Sequence, residues 1–295
     1  MPPLARGSSR MSVGISVTQK GCLYVVATPI GNLQDISPRA LEVLQQVTEI
    51  AAEDTRHSLK LLRHFGVKTP CVSLHDHNES RVVPGVISKL QAGCDIALIS
   101  DAGTPLISDP GFQLVKAAIE GGINVVTVPG PCALIAALSI SGLPADRFIF
   151  EGFLPAKQGA RRQRLQVLAS ETRTLIFYES CHRLMDAIED MRLIFGDERS
   201  AVVIKELTKL YEHVERLTLD NLSRLVAADE RFKKAEYVVL VAGGERDEDA
   251  EWQHAVEVMK VLLGELSVKQ ASKLAAQITG ISKKRLYQHA IEQQD

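Results

Sequence analysis

The 295-residue sequence lacks the features of several protein classes. No apolar run approaches the length of a membrane-spanning helix, and residues 1–20 lack the apolar stretch of a signal peptide. The charge is nearly balanced, with a formal net of −2, so any nucleic-acid signal must be local rather than a property of the whole chain. We therefore expect a soluble globular protein with no membrane partner.

The sequence also lacks a disulfide pattern and a metal-ligand pattern. None of the five cysteines forms a CxxC pair, and an odd, scattered set argues for a reducing compartment, so we expect a cytoplasmic protein. His75 and His77 lie near acids, but an extended chain would point them in opposite directions. No third His or Cys ligand follows at useful spacing, so we expect no metal site.

Two nucleotide-binding fingerprints are missing, since the first loop is not GxGxxG and no GxxxxGK[ST] occurs. The chain is organised instead around residues 95–109, DIALISDAGTPLISD. The apolar run 96–99 is too short for a helix and predicts a buried strand, and an amphipathic helix is predicted over 112–120. The loop between them contains small residues and acids at the carboxyl end of a strand, where open α/β sheets bind ligands. The alternative is an ordinary strand-to-helix connection, although those are usually shorter.

Alternation of short apolar runs with amphipathic stretches predicts an α/β protein. Apparent antiparallel hairpins in the second half predict a mixed sheet there, and Pro84 predicts that the helix after residue 80 begins near that proline. The break Gly142-Leu143-Pro144 predicts a domain boundary. The predicted divisions are a disordered tail at 1–20, α/β domains at 21–144 and 145–245, and a helical, helix-turn-helix-like domain at 250–295.

Polar and basic clusters are candidate functional groups. Glu53, Asp54, Thr55 and Arg56 follow a predicted strand and either face the ligand cleft or belong to a helix N-terminus that Asp54 or Thr55 caps. Two basic segments are candidate RNA contacts, with a solvated helix face and a packing or dimerisation tail as the respective alternatives. The candidate RNA-binding residues are Lys157, Arg161, Arg162 and Arg164 in the first segment and Lys283, Lys284 and Arg285 in the second.

Seven motifs together resemble one known family. In order they are VATPIGNLQDI, AAEDTR, LISDAGTPLISDPG, VPGPCALIAAL, GFLP, FYESCHR and KELTKLYE. They are similar to motifs of the ribosomal RNA small-subunit 2′-O-methyltransferase I family, which belongs to the tetrapyrrole-methylase superfamily. The resemblance covers Leu23 to about Gly244, and the helical tail matches the family's C-terminal domain. It implies two α/β domains of the tetrapyrrole-methylase type with S-adenosylmethionine in the cleft between them, and a homodimer.

The resemblance further implies methyl transfer to a cytidine ribose 2′-hydroxyl in small-subunit (16S) ribosomal RNA. Cys132 and Cys181 depart from the family pattern, where we expect Ser and Pro. The implied cofactor contacts are Pro29, Ser100, Asp101, Ala102, Gly103, Ile107, Ser108, Asp109, Pro129, Cys132, Tyr178, Leu207 and Ala235.

The implied chemistry is attack of a ribose oxygen on a sulfonium methyl group, which needs no metal. A hydroxyl is a poor nucleophile, so a base and a cation near the developing alkoxide would help. We expect Glu53, Glu179 or Glu206 to accept the proton, and Lys205 or Arg56 to hold the alkoxide or a flanking phosphate.

Two other functions remain open at this stage. A tetrapyrrole methylase would share the fold and cofactor, although such enzymes usually have a GxGPGD-like first loop where this chain has TPIGN. A non-catalytic RNA-binding protein could also have kept this fold.

Overall fold

The computed structural model describes residues 20–233, 235–244 and 248–293, so the predicted tail lies outside the described residues except for Lys20. The first half forms a sheet of five parallel strands in the order β3-β2-β4-β1-β5. The strands are β1 (Cys22–Val26), β2 (Glu49–Ala52), β3 (Cys71–Ser73), β4 (Ile96–Ile99) and β5 (Asn124–Val128). The helices are α1 (Pro38–Gln46), α2 (Thr55–His64), α3 (Glu79–Gln91), α4 (Phe112–Glu120) and α5 (Ala133–Ser141).

Strand β4 lies at the centre of this sheet and is buried along its whole length, as the sequence predicted. Its alternate residues enter two different cores, because helices cover both faces of the sheet. Ala97 and Ile99 pack with residues of α1 and α2, whereas Ile96 and Leu98 pack with residues of α3 and α4. The loop that follows β4 is therefore anchored in the most buried strand of the first half.

Helix α2 begins with a side-chain cap that resolves part of the ambiguity at residues 53–56. The Asp54 carboxylate accepts the Arg56 main-chain N–H at 2.8 Å and is the N-cap of this helix. It also accepts from the Arg56 guanidinium at 2.8 and 3.1 Å. The capping alternative is thus correct for Asp54.

Helix α3 begins at Glu79, five positions before Pro84, so the expected start near the proline is wrong. The reason is a tertiary contact that the local pattern does not reveal. The buried Glu79 carboxylate accepts N–H groups of Gln113 at 2.8 Å and Leu114 at 3.2 Å, at the start of α4. A carboxylate at a helix N-terminus satisfies donors that the helix itself leaves free. This contact fixes the first turn of α3 before the proline is reached.

The second half forms a mixed five-stranded sheet, as predicted, in the order β6-β7-β10-β8-β9. Only β6 and β7 pair in parallel, and the other pairs are antiparallel. The strands are β6 (Phe148–Phe153), β7 (Thr174–Ser180), β8 (Ser200–Lys205), β9 (His213–Thr218) and β10 (Glu236–Val241). The helices that follow β6, β7 and β9 are α6 (Gln158–Leu168), α7 (Leu184–Phe195) and α8 (Leu219–Ala228).

Helix α5 connects the two sheets. It ends at Gly142, which adopts a φ of 79°, so the sequence break at 142–144 coincides with the end of this helix. Its residues Leu134, Ala137 and Leu138 pack against the second sheet, whose opposite face is covered by α6, α7 and α8. A domain boundary between residues 144 and 145 stays a prediction. Helix α5 precedes this boundary in the sequence but packs against the sheet that follows it.

Three further helices follow, α9 (Glu248–Leu263), α10 (Val268–Thr279) and α11 (Lys283–Glu292), with a core of their own. The Arg285 guanidinium lies 4.2 Å from the centre of the Trp252 ring, so α9 and α11 are joined by a cation–π contact. Among the described residues, no helix combines the length and apolar character needed to cross a membrane.

The contact between α3 and α4 predicts a measurable loss of stability. Glu79→Ala leaves a buried and a partly buried N–H group without their charged acceptor, which should lower the free energy of unfolding by about 1–3 kcal/mol. Urea denaturation measures this loss, with Glu42→Ala, an exposed carboxylate on α1, as the control. Equal midpoints for the two variants would contradict the assigned role of Glu79.

Candidate active site

A cleft of about 320 Å³ lies between loops of the two sheets. The β4–α4 loop and the start of α5 line one side, and the ends of β7, β8 and β10 line the other. Eight predicted cofactor contacts line it: Ala102, Gly103, Ile107, Ser108, Asp109, Cys132, Tyr178 and Leu207. The other five, Pro29, Ser100, Asp101, Pro129 and Ala235, are not among its lining residues.

The β4–α4 loop is tied to the end of β1. Thr28 and Gly103 exchange two main-chain hydrogen bonds of 2.8 and 3.0 Å, and Gly103 has a φ of 90°. Buried Ser100 stabilises the same turn, because its Oγ donates to the Gly103 carbonyl oxygen at 3.4 Å. The predicted contact Ser100 therefore shapes the loop that lines the cleft without lining it.

The loops on the two sides of the cleft have strained backbones. Leu106 and Ser108 have φ values of 74° and 67° on the first loop, and Glu206 and Thr208 have values of 51° and 65° on the loop after β8. Within the described ranges these are the non-glycine residues with positive φ. Such conformations cost free energy and are concentrated at functional sites.

Two glycines allow these loops to meet. A Cβ at Gly31 would lie 2.5 Å from Cγ of Lys209 and 3.0 Å from the carbonyl oxygen of Leu207. A Cβ at Gly152, in the bulge of β6, would lie 3.0 Å from Oγ of Ser108. Each contact joins a residue of one half of the chain to a residue of the other, so glycine at both positions lets the two halves approach closely beside the cleft.

Asp109 is the carboxylate of the first loop that lines the cleft. Burial, followed by the nearby charge of Glu53, raises its pKa from an ordinary value of 3.8 to about 7. Burial also raises the pKa of Glu53, whose carboxylate accepts the Asp101 N–H at 3.4 Å. Asp101 in turn accepts the Asp54 N–H at 3.1 Å. Glu53 and Asp101 are thus hydrogen-bonded to each other and do not line the cleft, whereas Asp109 does.

Tyr178 connects the second sheet with α5 across the cleft. Its hydroxyl oxygen accepts the Leu134 N–H at 3.0 Å, two residues after the predicted contact Cys132. Burial raises the pKa of this phenol, so the hydroxyl stays neutral at physiological pH. Phe150 and Phe153 pack edge-on against the ring at centroid distances of 4.9 and 5.7 Å. Tyr178 lies in the cleft although Cys181 departs from the family pattern.

Of the five predicted catalytic residues, only Glu179 lines the cleft. Its side chain is almost fully buried and lies 3.4 Å from Nε of Arg183. Glu179 in β7 is paired with Tyr237 in the neighbouring strand β10, and Tyr237 belongs to the core beneath α6, α7 and α8. Directly opposed residues point to the same face. The Glu179 carboxylate therefore points to the helix-covered face, away from Tyr178.

The expectation that the predicted cations face the cleft is wrong for both residues. Arg56 is 89% exposed and pairs with Asp54 at 2.8 Å, because Asp54 caps the same helix. Lys205 lies opposite Tyr237 in the sheet, which places it on the other face from the cleft-lining Ile204. Its ammonium donates to the Arg231 carbonyl oxygen at 2.6 Å.

Lys209 is the cleft cation that sequence reasoning missed. Its ammonium lies 3.2 Å from the Glu206 carboxylate and 2.8 Å from the Glu236 carboxylate, and Lys209 and Glu236 line the cleft. The predicted residue Glu206 therefore reaches the cleft through Lys209. The motif KELTKLYE contains both lysines, but only strand alternation and the bend after β8 distinguish them. The other unpredicted lining residues are Ile30, Thr104, Ala133, Phe153, Ser180, Ile204, Tyr237 and Val238.

The first basic segment is not a set of free cations. The Arg161 side chain is only 3% exposed and pairs with buried Asp190 at 2.7 Å, so its assignment as an RNA contact is wrong. Arg162 pairs with the same Asp190 at 2.6 Å, and Arg164 pairs with Glu151 at 2.7 Å. These acids lie far from α6 in the sequence or on another element, which explains why the segment looked unpaired. Exposed Lys157 and the exposed residues Lys283, Lys284 and Arg285 stay predicted RNA contacts. In the described ranges, no group of His, Cys, Asp and Glu is arranged to hold a metal ion.

Two family profiles match the sequence. One described as Tetrapyrrole (Corrin/Porphyrin) Methylases matches residues 22–223, and one described as RsmI C-terminal HTH domain matches residues 248–294. Curated relatives named Ribosomal RNA small subunit methyltransferase I include proteins from two bacteria. The Pseudomonas aeruginosa protein is 57% identical, covering 93% of this chain and 98% of its own. The Escherichia coli O157:H7 protein is 51% identical, covering 93% and 96%.

Solved structures share the fold at low sequence identity. Uroporphyrin-III-C-methyltransferase from Thermus thermophilus is 19% identical with a TM-score of 0.52, covering 76% of this chain and 94% of its own. Diphthine synthase is 18% identical with a TM-score of 0.57, covering 75% and 89%. A further structure of the Thermus enzyme, complexed with S-adenyl homocysteine, is 17% identical with a TM-score of 0.53, covering 75% and 96%. The predicted fold class, two α/β units of the tetrapyrrole-methylase type followed by helices, is confirmed.

The raised pKa of Asp109 predicts a pH-dependent effect of Asp109→Asn on stability. The folded protein keeps a proton on this carboxyl between about pH 4 and 7 that the unfolded chain releases, so this group lowers stability as the pH rises through that window. The amide variant lacks this loss. Its thermal midpoint relative to wild type should therefore increase between about pH 4 and pH 8. Asp146→Asn, at an exposed carboxylate, is the control. A difference that does not change with pH would contradict the burial of Asp109.

Proposed function

Because the chain belongs to the ribosomal RNA small subunit methyltransferase I family, we propose that it transfers a methyl group from S-adenosylmethionine to a cytidine ribose 2′-hydroxyl in small-subunit (16S) ribosomal RNA. The observation that carries the proposal is the similarity to the Pseudomonas aeruginosa protein, which extends over 98% of that protein's length. The match of residues 248–294 to the C-terminal domain supports it, because this domain lies outside the tetrapyrrole-methylase profile.

The two other functions are less well supported. The solved uroporphyrin-III-C-methyltransferase from Thermus thermophilus is 19% identical to the chain, whereas the curated ribosomal RNA methyltransferases from Pseudomonas aeruginosa and Escherichia coli O157:H7 are 57% and 51% identical. A non-catalytic RNA-binding protein would not need a cleft lined by two strained loops. Cytoplasmic localisation and a homodimer stay predictions from the sequence.

The residues of the cleft fit the proposed cofactor. Ile30, Ile107 and Leu207 offer apolar surface for the adenosyl group, and the Asp109 carboxylate offers negative charge for the cationic end. When bound, S-adenosylmethionine supplies a methyl group that is already activated by the sulfonium charge. A cation beside Asp109 favours the ionised carboxylate, so binding should release a proton near neutral pH.

Lys209 takes the place that the sequence analysis gave to Lys205. We infer that its ammonium stabilises the ribose oxygen as negative charge develops there, because it is the lysine that lines the cleft. Glu206 holds this ammonium at 3.2 Å and is the predicted proton acceptor nearest to it. Glu53 acts through Asp109 by raising its pKa and is a positioning residue in this proposal. Glu179 is paired with Arg183 and takes no part in the proposed reaction.

The proposal is tested by transfer of radiolabelled methyl groups to small ribosomal subunits that lack their normal modifications. We expect alkali-resistant label at one ribose, and no label on a tetrapyrrole precursor offered in parallel. Label on the tetrapyrrole alone would reject the RNA substrate.

The same assay examines Lys209. Lys209→Met should lower kcat by about 100-fold, in the range that proton-transfer and electrostatic groups contribute. Lys116→Met, at an exposed lysine of α4, should retain the wild-type rate. A Lys209→Met variant with wild-type kcat would remove Lys209 from the reaction.

A further inference from the structure

Helix α2 has an exposed face without a single acid, and the proposed reaction gives this face no role. Its exposed residues are all basic or imidazole side chains, namely Arg56, His57, Lys60, Arg63 and His64. Residues three apart lie on the same side of a helix, so Lys60 and Arg63 together form the basic face of α2. We propose that this basic face binds the phosphate backbone of the RNA whose ribose enters the cleft. This inference rests on the proposed function and extends it to the binding of the RNA substrate.

The basic face consists of free cations. Within the described ranges, the side chains of Lys60 and Arg63 form no hydrogen bond and no ion pair, and the same is true of exposed Lys68, four residues after the helix. Helix α6 differs in this respect, because its Arg161 is buried against Asp190. An exposed ammonium or guanidinium that has no carboxylate partner keeps its donors and its charge available for a phosphate. The basic face therefore has the chemistry of a phosphate-binding surface.

The acids around α2 do not neutralise the basic face. Asp54 caps the helix and is held by the arginine of the first turn, and no Asp or Glu follows it in the sequence until Asp76. Asp76 lies towards the cleft, where its charge acts on Asp109. The helix that shares a core with α2 is α1, which exposes Arg39 and Glu42, one charge of each sign. The basic face thus keeps its positive charge.

The basic face lies within reach of a strand that enters the cleft. The Asp54 N–H donates to the Asp101 carboxylate at 3.1 Å, and Asp101 belongs to the β4–α4 loop that lines the cleft. An α-helix rises about 1.5 Å per residue, which places Lys60 and Arg63 about 9 and 14 Å from the Asp54 cap along the helix axis. At roughly 3.4 Å per nucleotide, these distances correspond to about three to four nucleotides of one strand. Phosphates that neighbour the reacting ribose can therefore meet the basic face.

The helix dipole explains only part of this charge pattern. Arg63 and His64 lie in the last turn of α2, where cations stabilise a helix. Lys60 precedes that turn, and Lys68 lies beyond the end of the helix. The positive charge thus continues on both sides of the helix terminus. An extended polyanion such as an RNA backbone accounts for all three cations, whereas the dipole accounts for one.

The test compares Lys60→Gln/Arg63→Gln with Lys116→Gln/Arg224→Gln. The second variant is the matched control, because it removes one exposed lysine and one exposed arginine from α4 and α8 and has the same total charge. Binding of a fluorescent single-stranded RNA is measured by anisotropy over a range of salt concentrations. At about 100 mM salt the first variant should bind at least about tenfold more weakly than the control, and the slope of its log Kd against log salt should be smaller by about 1.4, the value for two lost phosphate contacts. Equal affinities and equal slopes would overturn the inference.

Methyl transfer provides a kinetic readout of the same variants. The KM for small ribosomal subunits that lack their normal modifications should rise about tenfold or more in Lys60→Gln/Arg63→Gln. The kcat should stay within about twofold of wild type, because a phosphate contact far from the methyl group is equally strong before and during the reaction. Calorimetric affinity for S-adenosylmethionine should be unchanged. A lower kcat with an unchanged KM would overturn the inference, because the two cations would then act on the chemical step.

The RNA-binding readout also separates this inference from the proposed function. Weaker RNA binding by Lys60→Gln/Arg63→Gln, together with no methyl transfer by wild type to any acceptor, would keep the basic face as an RNA surface and reject only the reaction. Vesicles that contain phosphatidylserine examine an anionic membrane as the other occupant. Loss of vesicle binding in this variant, with RNA affinity at the wild-type level, would overturn the inference.

Discussion

The close approach of loops from two different sheets is the constraint on which the rest of the site depends. Gly31 allows the loop after β1 to lie against residues 207–209, and Gly152 allows β6 to lie against Ser108. Neither half of the chain encloses a cleft alone, because the lining residues come from both. The cleft thus forms beside two contacts that leave no space for a side chain at Gly31 and Gly152. The two glycines therefore determine how closely the loops approach, whereas other residues supply the chemistry of the cleft.

The chemistry of the cleft follows from how each loop is held. The first loop is anchored by the buried strand β4 and by the exchange of hydrogen bonds between Thr28 and Gly103, so it can hold Asp109 in a partly buried position. The second loop is fixed by Glu206 and Glu236, which orient the Lys209 ammonium. One side therefore offers the Asp109 carboxylate, and the other offers an ammonium held between two carboxylates. This arrangement suits a reaction in which a sulfonium is bound on one side and an oxygen gains charge on the other.

The sequence alone predicted what depends on local pattern. Strand β4, its loop and the two sheet types follow from runs of apolar residues and from turn residues, and the family motifs located most of the cleft. What it missed depends on contacts between distant segments. From the sequence, Arg161 resembles a free cation, but in the structure it pairs with Asp190. Glu79 likewise resembles a surface acid, but its carboxylate accepts N–H groups at the start of α4. Lys205 and Lys209 have similar neighbours in sequence, and only the register of β8 separates them.

The most direct test of this account is the calorimetric affinity of Gly31→Ala for S-adenosylmethionine. A methyl group at residue 31 forces the two loops apart, so we predict an affinity at least about tenfold weaker, equivalent to about 1.4 kcal/mol. Gly159→Ala is the matched control, because a Cβ there meets no atom within 4 Å. Wild-type affinity in Gly31→Ala would contradict the claim that the contact between these loops forms the cofactor site.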